Sequence, residues 1–114
     1  MNQPNPFKKE RTLSLFKELA SKFIQQEAGP QSLITITDCV VSRDYKRAKF
    51  FISVLPISAE QDALEFTKRK RSELREYIQK SGGVSRIPFI DFEIDKGEKN
   101  RQRIDELLEE GRNQ

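Results

Sequence analysis

An α+β domain, with a three-stranded sheet covered by helices on one face, is the fold class this sequence predicts, and three observations predict it. Two alternating, β-branched runs, Ser32–Val41 and Arg47–Leu55, are separated by a short polar stretch, which is the pattern of an antiparallel hairpin. Segments with apolar residues at three- and four-residue intervals flank the hairpin on both sides, as amphipathic helices do. A third alternating run, Arg86–Ile94, follows the second helical segment, so a right-handed crossover making it a parallel neighbour of the second strand is the favoured topology. The order is therefore helix, strand, strand, kinked helix, strand, helix.

The first helix is expected over Glu10–Glu27, on the stripe Leu13, Phe16, Leu19, Ala20, Phe23 and Ile24, with Gly29 as its C-terminal cap and Pro30 as the breaker. In the first strand the alternation slips: Ile34 and Ile36 share one phase, Cys39 and Val41 the other. A bulge near Asp38 reconciles them. Ser42–Lys46 reads as the turn, and Ala48, Phe50, Ile52 and Val54 line one face of the second strand.

Pro56 closes that strand, and Ser58 with Gln61 three residues on is the pattern of a capping box opening the second helix. Its apolar positions run Ala63, Leu64 and Phe66, then resume only at Leu74, Tyr77 and Ile78. The six polar residues between, Lys68 to Glu73, span more than one and a half turns at 3.6 residues per turn and so encircle the helix. A straight helix would have to bury charge, so a bend or break is expected near Ser72. Ser81, Gly82 and Gly83 end the helix. The third strand alternates at Ile90, Phe92 and Ile94, with Pro88 confining its start to an edge or bulge. Asp95–Gly97 forms a turn, and Glu98–Glu110 is expected as a last, weakly anchored acidic helix on Ile104, Leu107 and Leu108.

Composition narrows the function. The 114 residues, 35% of them apolar, supply one core but not two, so one domain over 1–114 is expected, with its core at about 9–97. No apolar run approaches the roughly 20 residues that cross a bilayer, and the first eleven residues lack the apolar stretch of a secretory signal, so the expected location is the cytoplasm. A single cysteine, Cys39, excludes an intramolecular disulfide and supplies no zinc site; with no histidine, imidazole catalysis is excluded too. No nucleophile–base pair, phosphate loop or metal cluster assembles from these residues, so an enzyme is not expected, nor a cofactor or a metal. The net charge is +3. Its distribution is polarised: nine positive and five negative charges in residues 1–55, six and five in 56–80, six and eight in 81–114. A basic first half with an acidic end suits a nucleic-acid binder.

The run from Ile34 to Tyr45, ITITDCVVSRDY, followed by Arg47–Leu55, RAKFFISVL, resembles the hairpin of the ribosome-binding factor A family, with its valine-threonine-isoleucine-threonine-aspartate stretch, serine-x-aspartate turn and alanine-lysine-led second strand. Arg86–Asp95, RIPFIDFEID, is similar to that family's third strand, where a proline precedes a phenylalanine and a closing aspartate. The resemblance runs from about Lys9 to Leu108. It implies a type II KH-like fold and a role in binding the free small (30S) ribosomal subunit and assisting processing and maturation of its 16S rRNA, as a monomer. It also implies an interhelical kink, which the family builds on Ala-x-Gly and this chain replaces with Lys70, Arg71 and Ser72.

The candidate RNA contacts fall in two groups. Lys68, Arg69, Lys70 and Arg71 at the bend present charge in several directions; the competing reading is a solvated face paired with Glu65, Glu73 and Glu76. Arg43, Lys46, Arg47 and Lys49 surround the hairpin turn, where the competing role is protection of a strand edge. Arg75 and Arg86 are further candidates. Phe51 and Tyr45 suit packing under a helix and shielding of the turn better than base stacking, and Asp91, Glu93 and Asp95 suit a solvated strand face better than a metal site. Two rival functions remain: a generic KH-like RNA-binding or ribosomal protein, and a protein-interaction module acting through the acidic C-terminal helix.

Overall fold

Helix α1 spans Pro6–Glu27, four residues longer at its start than the apolar stripe requires, because proline in a first turn forfeits no hydrogen bond. The structure, a computed structural model, describes residues 6–97, with side-chain surroundings from residue 10 onward. The stripe Phe16, Leu19, Ala20, Phe23 and Ile24 is buried as its spacing predicts. The helix ends on the Ala28 N–H, which donates to the Ile24 carbonyl at 2.8 Å. Gly29 does not take the left-handed cap conformation. Pro30 accounts for this, since the residue before a proline is pushed towards extended backbone.

Strands β1 (Leu33–Val41) and β2 (Arg47–Leu55) pair antiparallel, and the register shifts between Ile36 and Asp38. The expected bulge is therefore present. Thr37 is the residue left without a ladder partner, and its hydroxyl donates to the Asp95 carboxylate at 2.6 Å and lies 3.1 Å from the Phe51 carbonyl. The bulge brings Ile36 opposite Ile52 and Cys39 opposite Phe50, so both phases of β1 reach one core. Phe51 is also fully buried, but strand alternation turns it away from Phe50 and Ile52 and it does not join the cluster under the helices.

A short 3-10 turn, Ile57–Ala59, leads into α2 (Glu60–Arg69). Ser58 lies inside this turn and caps nothing; the Ala59 N–H donates to the Pro56 carbonyl at 2.9 Å, and Glu60 and Asp62 supply negative charge to the first turn of α2 instead. The break comes at Lys70 (φ −96°, ψ 8°), two residues before Ser72, which lies within α3 (Arg71–Gly82). Those dihedrals are open to any residue, so the kink forms without a glycine. Gly83 caps α3 in the left-handed conformation at φ 65°, and a side chain on Gly82 would meet Leu19 at 3.0 Å, so α1 and α3 pack closely there.

Strand β3 covers Phe89–Ile94, three residues shorter than expected at its start, because Pro88 has no N–H for the ladder and pairing begins with the Phe89 N–H donating to the Lys46 carbonyl at 2.9 Å. It runs parallel to β2, completing the sheet order β1-β2-β3. Phe50 and Phe92 stack at 5.5 Å between centroids, beneath Leu74 and Ile78 of α3 and the stripe of α1. Thr67 is wholly buried as well, its hydroxyl donating to the Leu64 carbonyl at 2.8 Å. Gly97 turns at φ 68° with its N–H donating to Asp95, while the predicted helix Glu98–Glu110 lies outside the described residues.

Candidate nucleic-acid interface

The hairpin turn is built by two short polar side chains. The buried Ser42 hydroxyl donates to Asp44 at 2.7 Å and accepts from the Arg47 N–H at 3.0 Å, while Asp44 also accepts from the Lys46 N–H at 3.1 Å. These bonds, the Ser42 bond first, hold the Asp44 carboxyl below its ordinary pKa. Tyr45 takes a left-handed backbone (φ 61°), and its hydroxyl donates to the Arg86 carbonyl at 3.1 Å. Burial raises that phenol's pKa, so it stays protonated and able to donate. Tyr45 is thus a strut between the turn and the segment entering β3, and Arg43 and Lys46 stand out from the turn towards solvent.

The kinked helix reaches the same segment from the other side. Arg75 donates from Nε to the Pro88 carbonyl at 3.1 Å and from Nη2 to the Ile87 carbonyl at 2.9 Å. Arg71 donates to the Lys68 carbonyl at 2.9 Å, pairs with Asp91 at 3.2 Å and lies 5.6 Å from the centroid of the Phe89 ring. Lys68 pairs with the same Asp91 oxygen at 3.4 Å, and next along the sheet Lys49 pairs with Glu93 at 2.9 Å. Beside residues 86–91 and the following Glu93 stand cations from four elements: Lys46 of the turn, whose carbonyl accepts from the Phe89 N–H, Lys49 of β2, Lys68 of α2, and Arg71 and Arg75 of α3, with Arg86 exposed at the segment's start and Arg43 exposed on the turn.

Three of the ten candidates stand apart from that description. Lys70 turns to the opposite side, pairing with Glu27 of α1 at 3.3 Å and Glu73 at 3.4 Å above the Phe66 ring. Glu27 raises its pKa, so the ammonium stays charged across the neutral range. Arg47 is half-buried at the start of β2 with its Nη2 enclosed, and Arg69 is exposed. The run 68–71 is thus neither uniformly solvated nor paired with Glu65 and Glu76: its partners are Asp91, Glu27 and Glu73. Asp91 and Glu93 are counter-ions to these cations, and Asp95 braces the bulge, rather than forming a solvated face.

Sequence reasoning missed Phe89. It is 55% exposed, with the Arg71 guanidinium over its ring, and the signal was available, because the parity that puts Ile90, Phe92 and Ile94 inside puts Phe89, Asp91 and Glu93 outside.

Fold and site together define a type II KH-like domain whose helix kink and hairpin turn bring cations to the edge strand of its sheet. The chain belongs to the ribosome-binding factor A family: the family model matches residues 8–108. A ribosome-binding factor A of Thermodesulfovibrio yellowstonii is 32% identical over 108 residues, covering 92% of each chain. The crystal structure of ribosome-binding factor A from Thermus thermophilus superposes with a TM-score of 0.67 at 20% identity, covering 75% of this chain and 94% of that one. A homology model of the Thermus thermophilus factor, fitted into a cryo-EM map of a 30S–RbfA complex, gives 0.63 at 20% identity over 71% of this chain and 88% of that one.

Proposed function

We propose that this chain is an RNA-binding assembly factor that engages the free small ribosomal subunit in the cytoplasm and assists maturation of its 16S rRNA, acting by binding and not by catalysis. The observation that carries the reading is the convergence on residues 86–91 of Lys68, Arg71 and Arg75 from the kinked helix with the hairpin turn, where Lys46 bonds to Phe89 through its carbonyl. A relative's fit into a map of a 30S complex supports the same partner.

In the free protein Asp91 and Glu93 hold Lys68, Arg71 and Lys49 in place. An RNA phosphate offers these cations the charge and acceptor geometry of a carboxylate, so contact exchanges partners without reordering the side chains, and released counter-ions favour binding. Arg75 is oriented by backbone carbonyls, neutral acceptors that leave its charge uncompensated at that contact. Backbone contacts of this kind position a protein on folded RNA.

A maturation factor leaves before subunits join. In a gradient separating ribosomal particles the protein is expected with free small subunits and absent from complete ribosomes; equal occupancy of both would replace this reading with that of a constitutive ribosomal protein.

A further inference from the structure

We infer that Phe89 is a stacking platform for one unpaired nucleobase, which stacks on the ring face opposite the one that the Arg71 guanidinium lies over. The inference rests on the RNA-binding reading above and adds to it the class of group recognised: a splayed-out base, in addition to phosphates.

Four observations carry it. Phe89 is 55% exposed, and among the described residues it is the aromatic in a set of exposed large apolar side chains otherwise made of Leu33, Leu55 and Ile57. Those aliphatic residues lie at the other end of the sheet, where β1 begins and β2 ends. The backbone that displays the ring is pinned on both sides, by the Phe89 N–H to Lys46 and by Arg75 to the Ile87 and Pro88 carbonyls. The Arg71 guanidinium, itself held by Asp91 and the Lys68 carbonyl, lies 5.6 Å from the ring centroid. An aromatic ring whose backbone is held before binding, half exposed and with cations beside it, suits a base, which has a π face and a phosphate on either side. A protein partner would meet charge beside this ring, because Arg71 lies over it, Arg75 bonds the backbone just before it, and Lys46 bonds its N–H through the carbonyl.

The test uses the full chain and a single-stranded RNA oligonucleotide carrying one 2-aminopurine, whose fluorescence is quenched by stacking. Phe89→Ala is expected to weaken binding roughly tenfold, the order of one lost base–aromatic stack, and to remove the quench, while the salt dependence of binding stays as in the unaltered protein. Phe89→Trp is expected to restore both affinity and quench. A retained cooperative thermal transition excludes unfolding as the cause. If the unaltered protein and Phe89→Ala bind the oligonucleotide equally and with the same quench, the platform is overturned while the RNA reading stands. If the unaltered protein shows no salt-dependent RNA binding, the RNA reading itself falls, and the platform with it. If Phe89→Ala leaves RNA binding untouched but releases the protein from small subunits, the ring contacts a protein and the inference is overturned.

Discussion

Under the proposed function the paired Lys68 and Arg71 and the exposed Arg69 contact RNA, while Lys70, the remaining one of the four consecutive cations at the helix kink, serves the fold. Lys68 and Arg71 meet at Asp91 on the β3 side, whereas Lys70 reaches back to Glu27 of α1. Replacing Lys68, Arg69 and Arg71 together by glutamine should therefore remove up to three phosphate contacts. Each contact is worth about 0.7 in the slope of log affinity against log salt for single-stranded RNA, so the slope should flatten by about 2. Over a fourfold rise in salt the variant should then lose about 16-fold less affinity than the unaltered protein. Lys70→Gln alone should leave the slope unchanged. Stability should barely move in the triple variant: glutamine keeps helix propensity, and the two pairs lost involve side chains exposed by about a third or more, worth roughly 1 kcal/mol or less each. Fluorescence anisotropy of a labelled RNA across a salt series measures the slopes, and thermal unfolding verifies the fold. A triple variant with an intact fold and an unchanged slope would refute the assignment, as would a Lys70→Gln slope shift as large as one contact.

Further expectations rest on individual contacts. Asp91→Asn keeps an acceptor for the Phe92 N–H but removes the charge that holds Lys68 and Arg71, so RNA binding at low salt should tighten a few-fold; weaker binding would show that Asp91 positions the cations more than it neutralises them. Leu74→Ala, at a fully buried position, should cost about 2–5 kcal/mol in urea unfolding, and a change under about 1 kcal/mol would mean α3 is not seated on the core. Asp44 has a folded pKa below its ordinary 3.8, so its stabilisation is present above that pH and is lost as pH falls through the lower folded value; Asp44→Asn should reduce the acid dependence of unfolding in that window, and an unchanged acid profile would contradict the turn geometry. Burial pushes the Cys39 thiol up to about 12, so a thiol reagent under mildly alkaline conditions should modify it only as fast as the protein opens; rapid modification of the native protein would contradict its burial.

The hairpin was legible because its signals are local. A phase slip between Ile36 and Cys39 has one economical solution, a bulge, and Thr37 supplies it. The existence of a helix break was legible for a similar reason, since six consecutive polar residues cannot share one exposed face. Its position was not, because tertiary partners decide it: Thr67 satisfies its own hydroxyl and enters the core, Arg71 is drawn to Asp91, and Lys70 between them absorbs the change of direction. The capping box at Ser58 failed because the chain leaves Pro56 in a 3-10 turn, a choice that the Ser58–Gln61 spacing does not report. In the candidate site, the sequence names the cations but not their grouping. That Asp91 is shared by two of them, and that Lys70 faces the other way, depends on the crossover from β2 through the kinked helix to β3.

By the proposed function, the cations beside residues 86–91, together with the exposed Arg69 of the helix kink, hold the protein on the small ribosomal subunit. Co-sedimentation of the full chain with purified free small subunits tests it most directly, comparing the unaltered protein with the Lys68→Gln, Arg69→Gln, Arg71→Gln variant at matched salt. The unaltered protein should pellet with the subunits and the folded variant should remain largely in the supernatant; equal recovery of both with the subunits would contradict the claim.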